Sequence, residues 1–372
     1  MNIKIYSFFS GAGFLDLGFE DENYEISFVN EYEKNFLDSY IYSRKEMNYK
    51  KPEHGYYQGD INDLFKGKFT KILDNNICSD KKEALVGFIG GPPCPDFSIA
   101  GKNEGIIGRN GRLTTSYKRM IIEKKPDFFL FENVKGLWST KKHREEYEKI
   151  KQSFKRKGYI LIDRLVNALE YGVPQDRERI LLFGIKYDLL SENKKEAKRL
   201  LENNFKWNKN AYHVEDIKRL NWPIADAFYV DDEKPLPDNI IKELTIEYWF
   251  RKNNVYYHPN ALDYFNPISH DKFATIREGD VSKKSFKRLH RWRYSPTAAY
   301  GNNEVHLHPY KTRRISVAEA LAIQSLPTRF VILPTLSLSH KFKMVGNGVP
   351  YLLAKGIANE IHTFLEQNIK EG

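Results

Sequence analysis

Cys94 stands in the run Gly90-Gly91-Pro92-Pro93-Cys94-Pro95-Asp96-Phe97-Ser98, directly after the apolar stretch Leu85–Ile89. Prolines on both sides restrict the backbone and preorganise the sulfur, whereas a structural cysteine is expected inside an apolar element. A thiolate presented in this way at the carboxyl end of a strand can act as a nucleophile. An inert thiol in a tight turn is the alternative that this motif alone leaves open. Cys78, in Asn75-Asn76-Ile77-Cys78-Ser79-Asp80, has no such setting and reads as an ordinary thiol. The next apolar run, Phe128-Phe129-Leu130-Phe131, ends in Glu132-Asn133-Val134, which sets an acid at the sheet edge that carries Cys94. Acid beside thiol suggests paired acid and nucleophile chemistry. Gln175-Asp176-Arg177-Glu178-Arg179 then opens another apolar run, and strand alternation turns Arg177 and Arg179 to one side. Standing alone, that arginine pair also fits an ion-paired surface edge.

A mostly parallel sheet is what brings such strand ends together. The first half of the chain alternates short apolar runs with longer amphipathic stretches, the pattern of βα units. Strands are expected near Ile3–Phe9, Ile26–Asn30, Leu85–Ile89 and Phe128–Phe131, and helices starting near Leu15, Thr114 and Lys142. Tyr159–Val166 and Arg179–Ile185 read as an antiparallel pair closing the sheet. The first strand runs into Ser10-Gly11-Ala12-Gly13 and a helix, a turn that lets backbone approach a ligand at a helix N-terminus. Such turns also serve tight strand–helix packing. Glu31 ends the next strand about 20 residues past Gly11, where these folds place a carboxylate on ribose hydroxyls. Asp60, in Gly59-Asp60-Ile61, can accept from an adenine amino group. Both acids also fit solvated strand ends.

From about Tyr187 the sequence turns polar, aromatic and irregular, which marks a second domain, and helical periodicity returns at Ser316–Gln324 and Pro350–Phe364. The run Lys283-Lys284-Ser285-Phe286-Lys287-Arg288-Leu289-His290-Arg291-Trp292-Arg293 interleaves basic and aromatic residues, as a phosphate-contacting surface or a solvated charged face would. His306 and His308 lack Cys or acidic residues at ligand spacing and read as non-metal. A net charge of +10 suits a polyanionic partner. Two cysteines in unrelated contexts argue against a disulfide framework. The N-terminus has no secretory pattern and no apolar run approaches membrane-spanning length, so a cytoplasmic protein is expected.

Taken in order, Phe9-Ser10-Gly11-Ala12-Gly13, Asn30-Glu31, Gly59-Asp60, the Cys94 run, Glu132-Asn133-Val134, Gln175–Arg179 and Gly346-Asn347-Gly348-Val349-Pro350 resemble the bacterial DNA cytosine-C5 methyltransferase family. The resemblance covers most of the chain. It implies an α/β fold of the S-adenosylmethionine-dependent, Rossmann-like type: a mixed sheet formed by residues 1–186 and 340–372, with a smaller irregular target-recognition domain, 187–339, between. Phe9, Gly11 and Gly13 would shape the S-adenosylmethionine pocket, Glu31 would hold the ribose, Asp60 and Leu113 the adenine, and Asn347 would close the methionine end. The product would be S-adenosylhomocysteine, with no metal involved.

The same resemblance implies that the Cys94 thiolate adds to carbon 6 of a cytosine flipped out of double-stranded DNA. Glu132 would share or donate the proton at ring nitrogen 3, Arg179 would hydrogen-bond the carbonyl oxygen at carbon 2, and Arg177 would support them. Lys283, Lys287, Arg288 and Arg291 would contact DNA, and the loop Pro95–Arg112, rich in glycine and base, would be a lid. A monomer near the nucleoid, working beside a cognate restriction endonuclease, is the expected setting. Two positions depart from the family: Phe14 stands where many relatives carry glycine, and Pro95 where glutamine is usual. A catalytically silent DNA-binding protein and an RNA cytosine-5 methyltransferase are the other classes that the sequence admits.

Overall fold

The computed structural model describes residues 1–93, 111–207, 212–266, 271–283, 285–300 and 304–370. Cys94, Lys284 and all of the expected lid but Gly111 and Arg112 lie outside them. Strands β1 (Ile3–Phe8), β2 (Glu25–Glu31), β3 (Tyr56–Gln58), β4 (Leu85–Gly90), β5 (Phe128–Val134), β6 (Tyr159–Asn167) and β7 (Glu178–Lys186) form one sheet in the order β3-β2-β1-β4-β5-β7-β6. The first five run parallel, and β7 is antiparallel to both its neighbours. Helices α1 (Phe14–Glu20), α2 (Lys34–Glu46), α3 (Gly67–Asp80) and α4 (Gly111–Lys124) connect the parallel strands. The elements expected from periodicity are present, each within a few residues of its place.

A parallel strand covered by helices on both faces reads as a continuous apolar run, and β1 is buried at every position. Ile3 and Ile5 face a core shared with α1 and the C-terminal helix Tyr351–Asn368, while Tyr6 and Phe8 face the opposite core, built from α3 and α4. Even Lys4 is tolerated in this strand, because its ammonium lies 2.8 Å from Asp80, 2.8 Å from Glu53 and 2.6 Å from Glu83.

The chain leaves β1 towards β2 and β3 on one side, then returns to β4 and β5 on the other. Between β1 and β4 lies the switch point, where loops diverge and leave a crevice at the strands' carboxyl ends. Register aligns those ends: Phe8 pairs with both Asn30 and Gly90, and Gly90 with Phe131. The turn after β1, Glu31, Gly91 and Glu132 therefore emerge along one edge.

The packed layer continues past the expected boundary at residue 186. The helix Lys194–Asn204 buries Ala197 and Leu201 in the sheet core, and the Phe205 ring stacks on Phe183 at 4.9 Å. Further on, Trp249, Phe250, Ile315, Leu321 and Phe330 join Phe14, Leu17 and Phe36 in a second core that also takes in Phe342 and Met344. Among the described residues no helix is long and apolar enough to cross a membrane.

Candidate active site

The turn after β1 is built from left-handed backbone. Phe9, Gly11 and Gly13 have φ of 56°, 57° and 79°. A β-carbon at Gly13 would lie 2.5 Å from the Tyr40 ring and 2.8 Å from the Arg44 guanidinium, so this position tolerates only glycine. One at Gly11 would meet nothing within 4 Å, which leaves the upper side of the turn open. Arg44, buried in α2, fixes the turn from below: it donates 2.6 Å to the Gly13 carbonyl and 2.7 Å to Glu20.

Glu31 is buried, and two backbone amides rather than a cation hold it: Gly11 donates to one oxygen at 2.7 Å and Glu33 to the other at 2.8 Å. Burial pushes its carboxyl above the usual range, against those amides. The Ser10 hydroxyl oxygen is buried nearby in sequence with no hydrogen-bond partner among the described residues. An open glycine turn, a buried carboxylate with lone pairs to spare and an orphaned hydroxyl fit a ligand that carries hydroxyls and amines.

Asp60 caps the short helical turn after Gly59, accepting at 2.8 Å from the Asn62 amide and at 2.9 Å from its side chain. Asn62 in turn accepts from Ser116 of α4 at 2.9 Å. Leu113, half-buried, starts the same helix four residues before Tyr117, whose ring meets Phe9 edge-on at 6.1 Å. Asn347 is exposed at the end of the helix Leu338–Asn347. The departure at Phe14 has a packing reason: its ring fills the space over Gly348, where a β-carbon would lie 2.2 Å away, and meets Phe330 edge-on at 5.1 Å.

At the neighbouring strand ends the buried Glu132 pairs with the half-buried Arg179, Oε1 to Nε 2.9 Å, across the antiparallel β5–β7 step. A β-carbon on Gly91 would sit 2.6 Å from Glu132 Oε2, so the loop that leads to Cys94 starts against this carboxyl. Burial raises the Glu132 pKa while Arg179 and Arg177 oppose the rise. A carboxyl whose protonated form burial favours, beside a guanidinium that steadies its charged form, can serve in proton transfer.

Arg177 takes a different part from its neighbour. Its guanidinium donates to the carbonyls of Ala298 at 3.0 Å, Gly346 at 2.8 Å and Gly348 at 3.1 Å. Beside it, the Gln175 side chain accepts from the Ala298 amide at 2.9 Å and donates to Gln324 at 3.0 Å, and Gln324 reaches the Val345 carbonyl. Arg177 is thus a positioning residue that ties β7 to the turn around Asn347. The structural parts of Gln175 and Gln324 escaped the sequence reading; for Gln324 an amide inside the apolar run Leu321-Ala322-Ile323-Gln324 was the available signal.

The expected DNA contacts divide. Lys283 is exposed and Lys287 half-exposed. Arg288 is fully buried and donates to the carbonyls of Ile276, Phe273, Lys311 and His308, and Arg291 is buried against Glu278, at 2.9 Å, and Asp232. Both guanidinia are taken up by partners within the protein, and both organise the fold of this region. His308, also buried, lies 3.4 Å from Glu319, a neighbour that sequence spacing hides. Arg288→Ala should therefore cost on the order of 3 kcal/mol of stability by stranding four carbonyls, read as a lower midpoint in urea. Lys287→Ala should leave that midpoint in place and reduce the salt slope of DNA binding by about one.

The chain matches the model for C-5 cytosine-specific DNA methylases over residues 3–363. It is 51% identical over 366 residues to the Type II methyltransferase M.NmeDI of Neisseria meningitidis serogroup C, covering 98% of this chain and 84% of that one. It is 31% identical over 376 residues to the Type II methyltransferase M.FnuDI of Fusobacterium nucleatum, covering 99% and 96%. Among solved structures, a DNA modification methyltransferase encoded within an E. coli prophage superposes with a TM-score of 0.66 at 21% identity, over 98% of this chain and 100% of that one. The methyltransferase EhMeth of Entamoeba histolytica gives 0.57 at 14% identity over 100% of both. At those identities the two structures bear on the fold alone. The strand-end site and the match along nearly the whole chain lead to one conclusion: this protein belongs to the C-5 cytosine-specific DNA methylase family and is a DNA cytosine-5 methyltransferase.

Proposed function

We propose that the enzyme modifies one cytosine within a specific duplex sequence, through a covalent adduct between Cys94 and carbon 6 of the flipped-out base, as the methyltransferase of a Type II restriction–modification pair. The observation that carries this reading is the Glu132–Arg179 ion pair with the Gly91 backbone against it, three residues before Cys94. Its acid and its guanidinium offer what a cytosine ring needs on addition: a proton at nitrogen 3 and a donor to the oxygen at carbon 2. Thiolate addition makes carbon 5 nucleophilic. S-adenosylmethionine supplies the electrophilic methyl group when bound, and Glu31, Asp60, Ser10 and the glycine turn are the residues that would hold it. Arg177 keeps the Gly346–Gly348 segment against β7, so Asn347 is carried to the same edge.

The names of the bacterial relatives support the Type II assignment, and an endonuclease cutting the same site is the partner it calls for. Bisulfite sequencing of DNA from cells that express the protein should reveal one protected cytosine in one recurring sequence. Incubation with labelled S-adenosylmethionine should label duplex DNA and leave transfer RNA unlabelled. Label entering transfer RNA alone would overturn the DNA reading.

A further inference from the structure

Within residues 212–339 each described arginine but one has a hydrogen-bond or ion-pair partner in the protein. The exception is Arg314. Its neighbour Arg313 forms a double hydrogen bond to Glu319 at 2.7 and 2.8 Å. Arg314 makes no such contact among the described residues, although its Nε is buried. Its guanidinium lies instead 5.8 Å from the Phe273 ring and 5.6 Å from the Phe286 ring, and those rings are 5.7 Å apart. Burial depresses its pKa.

The aromatic cradle is itself held in place. Phe273 is anchored through its carbonyl by the buried Arg288, and Phe286 sits at a φ of 59°, a left-handed conformation that a bulky residue adopts only when its surroundings impose it. Phe286 lies between the exposed Lys283 and the half-exposed Lys287 in the basic run. A half-buried guanidinium beside aromatic rings and without a carboxylate is a costly arrangement for a surface that stays in water. It becomes favourable when a paired acceptor arrives.

We infer that Arg314, lying beside the Phe273 and Phe286 rings, is a DNA-reading residue whose guanidinium takes up two acceptor atoms of the bound duplex. Those atoms are either the O6 and N7 of a guanine in the major groove or two oxygens of one phosphate. The inference rests on the DNA-methylating activity proposed above. It replaces Arg288 and Arg291 as the arginine contact in this region.

The test measures methyl transfer and binding with the parent, Arg314→Ala, Arg314→Met and Arg314→Lys on cognate duplexes and on duplexes with single base-pair changes. Arg314→Met keeps the apolar stem against the rings and serves if the alanine variant unfolds. Both Arg314→Ala and Arg314→Met should lose roughly ten- to hundred-fold in kcat/KM for DNA, with the affinity for S-adenosylmethionine unchanged by calorimetry. If the acceptor is guanine, lysine does not restore activity and discrimination relaxes at one base pair. If it is phosphate, lysine restores most of the activity, and the loss in the alanine variant is uniform across sequences with a salt slope lower by about one. Parent-like kcat/KM and salt slope in Arg314→Met would overturn the inference, as would an equal loss of cofactor affinity. A parent that methylates no duplex would overturn the DNA reading itself, and this inference with it.

Discussion

Glu132→Gln should slow methyl transfer on the order of a hundred- to ten-thousand-fold, the range for removing a general acid, while DNA affinity stays within a few fold. Glutamine keeps the shape of the side chain and an oxygen for Arg179, whose Nε lies 2.9 Å from Oε1, but it has no proton to give to ring nitrogen 3. The loss falls on the transition state rather than on the bound duplex. Breaking a buried ion pair also costs roughly 3–5 kcal/mol of stability. Rates should therefore be compared in single turnover at a temperature well below both unfolding midpoints. Parent-like turnover in Glu132→Gln would remove the assigned proton-transfer role, and a fall in DNA affinity equal to the fall in rate would make Glu132 a binding residue instead.

The site was legible where chemistry and backbone geometry demand the same residue. The glycine turn could be read because a left-handed backbone and the Tyr40 and Arg44 side chains below it leave Gly13 no alternative. The end of β5 was readable because that buried parallel strand is a continuous apolar run that stops at Glu132. Composition was a poorer guide in the second half. Arg288 and Arg291 count towards a basic surface, yet both are drawn inside by carbonyls and carboxylates far away in sequence, Phe273, Lys311, Asp232 and Glu278. The packing past residue 186 was hidden for a similar reason: the helix Lys194–Asn204 buries only Ala197 and Leu201, too few apolar positions to stand out among its charges. Phe14 looked like a flaw in the cofactor turn, and only its packing over Gly348 shows it as half of a matched pair.

Covalent capture tests the central claim most directly. Addition of the Cys94 thiolate to carbon 6 makes a bond that is released only when the proton on carbon 5 departs after methylation. With fluorine in its place that elimination cannot occur, and the enzyme stays bonded to its DNA. A duplex carrying 5-fluorocytosine at the target should give a band shifted on a denaturing gel, formed only with S-adenosylmethionine, with peptide mapping placing the link at Cys94. Cys94→Ala should give no shifted band and no measurable methyl transfer, whereas Cys78→Ala, which removes the exposed free thiol, should match the parent in both. A shifted band that persists in Cys94→Ala, or methylation there at the parent rate, would contradict the account.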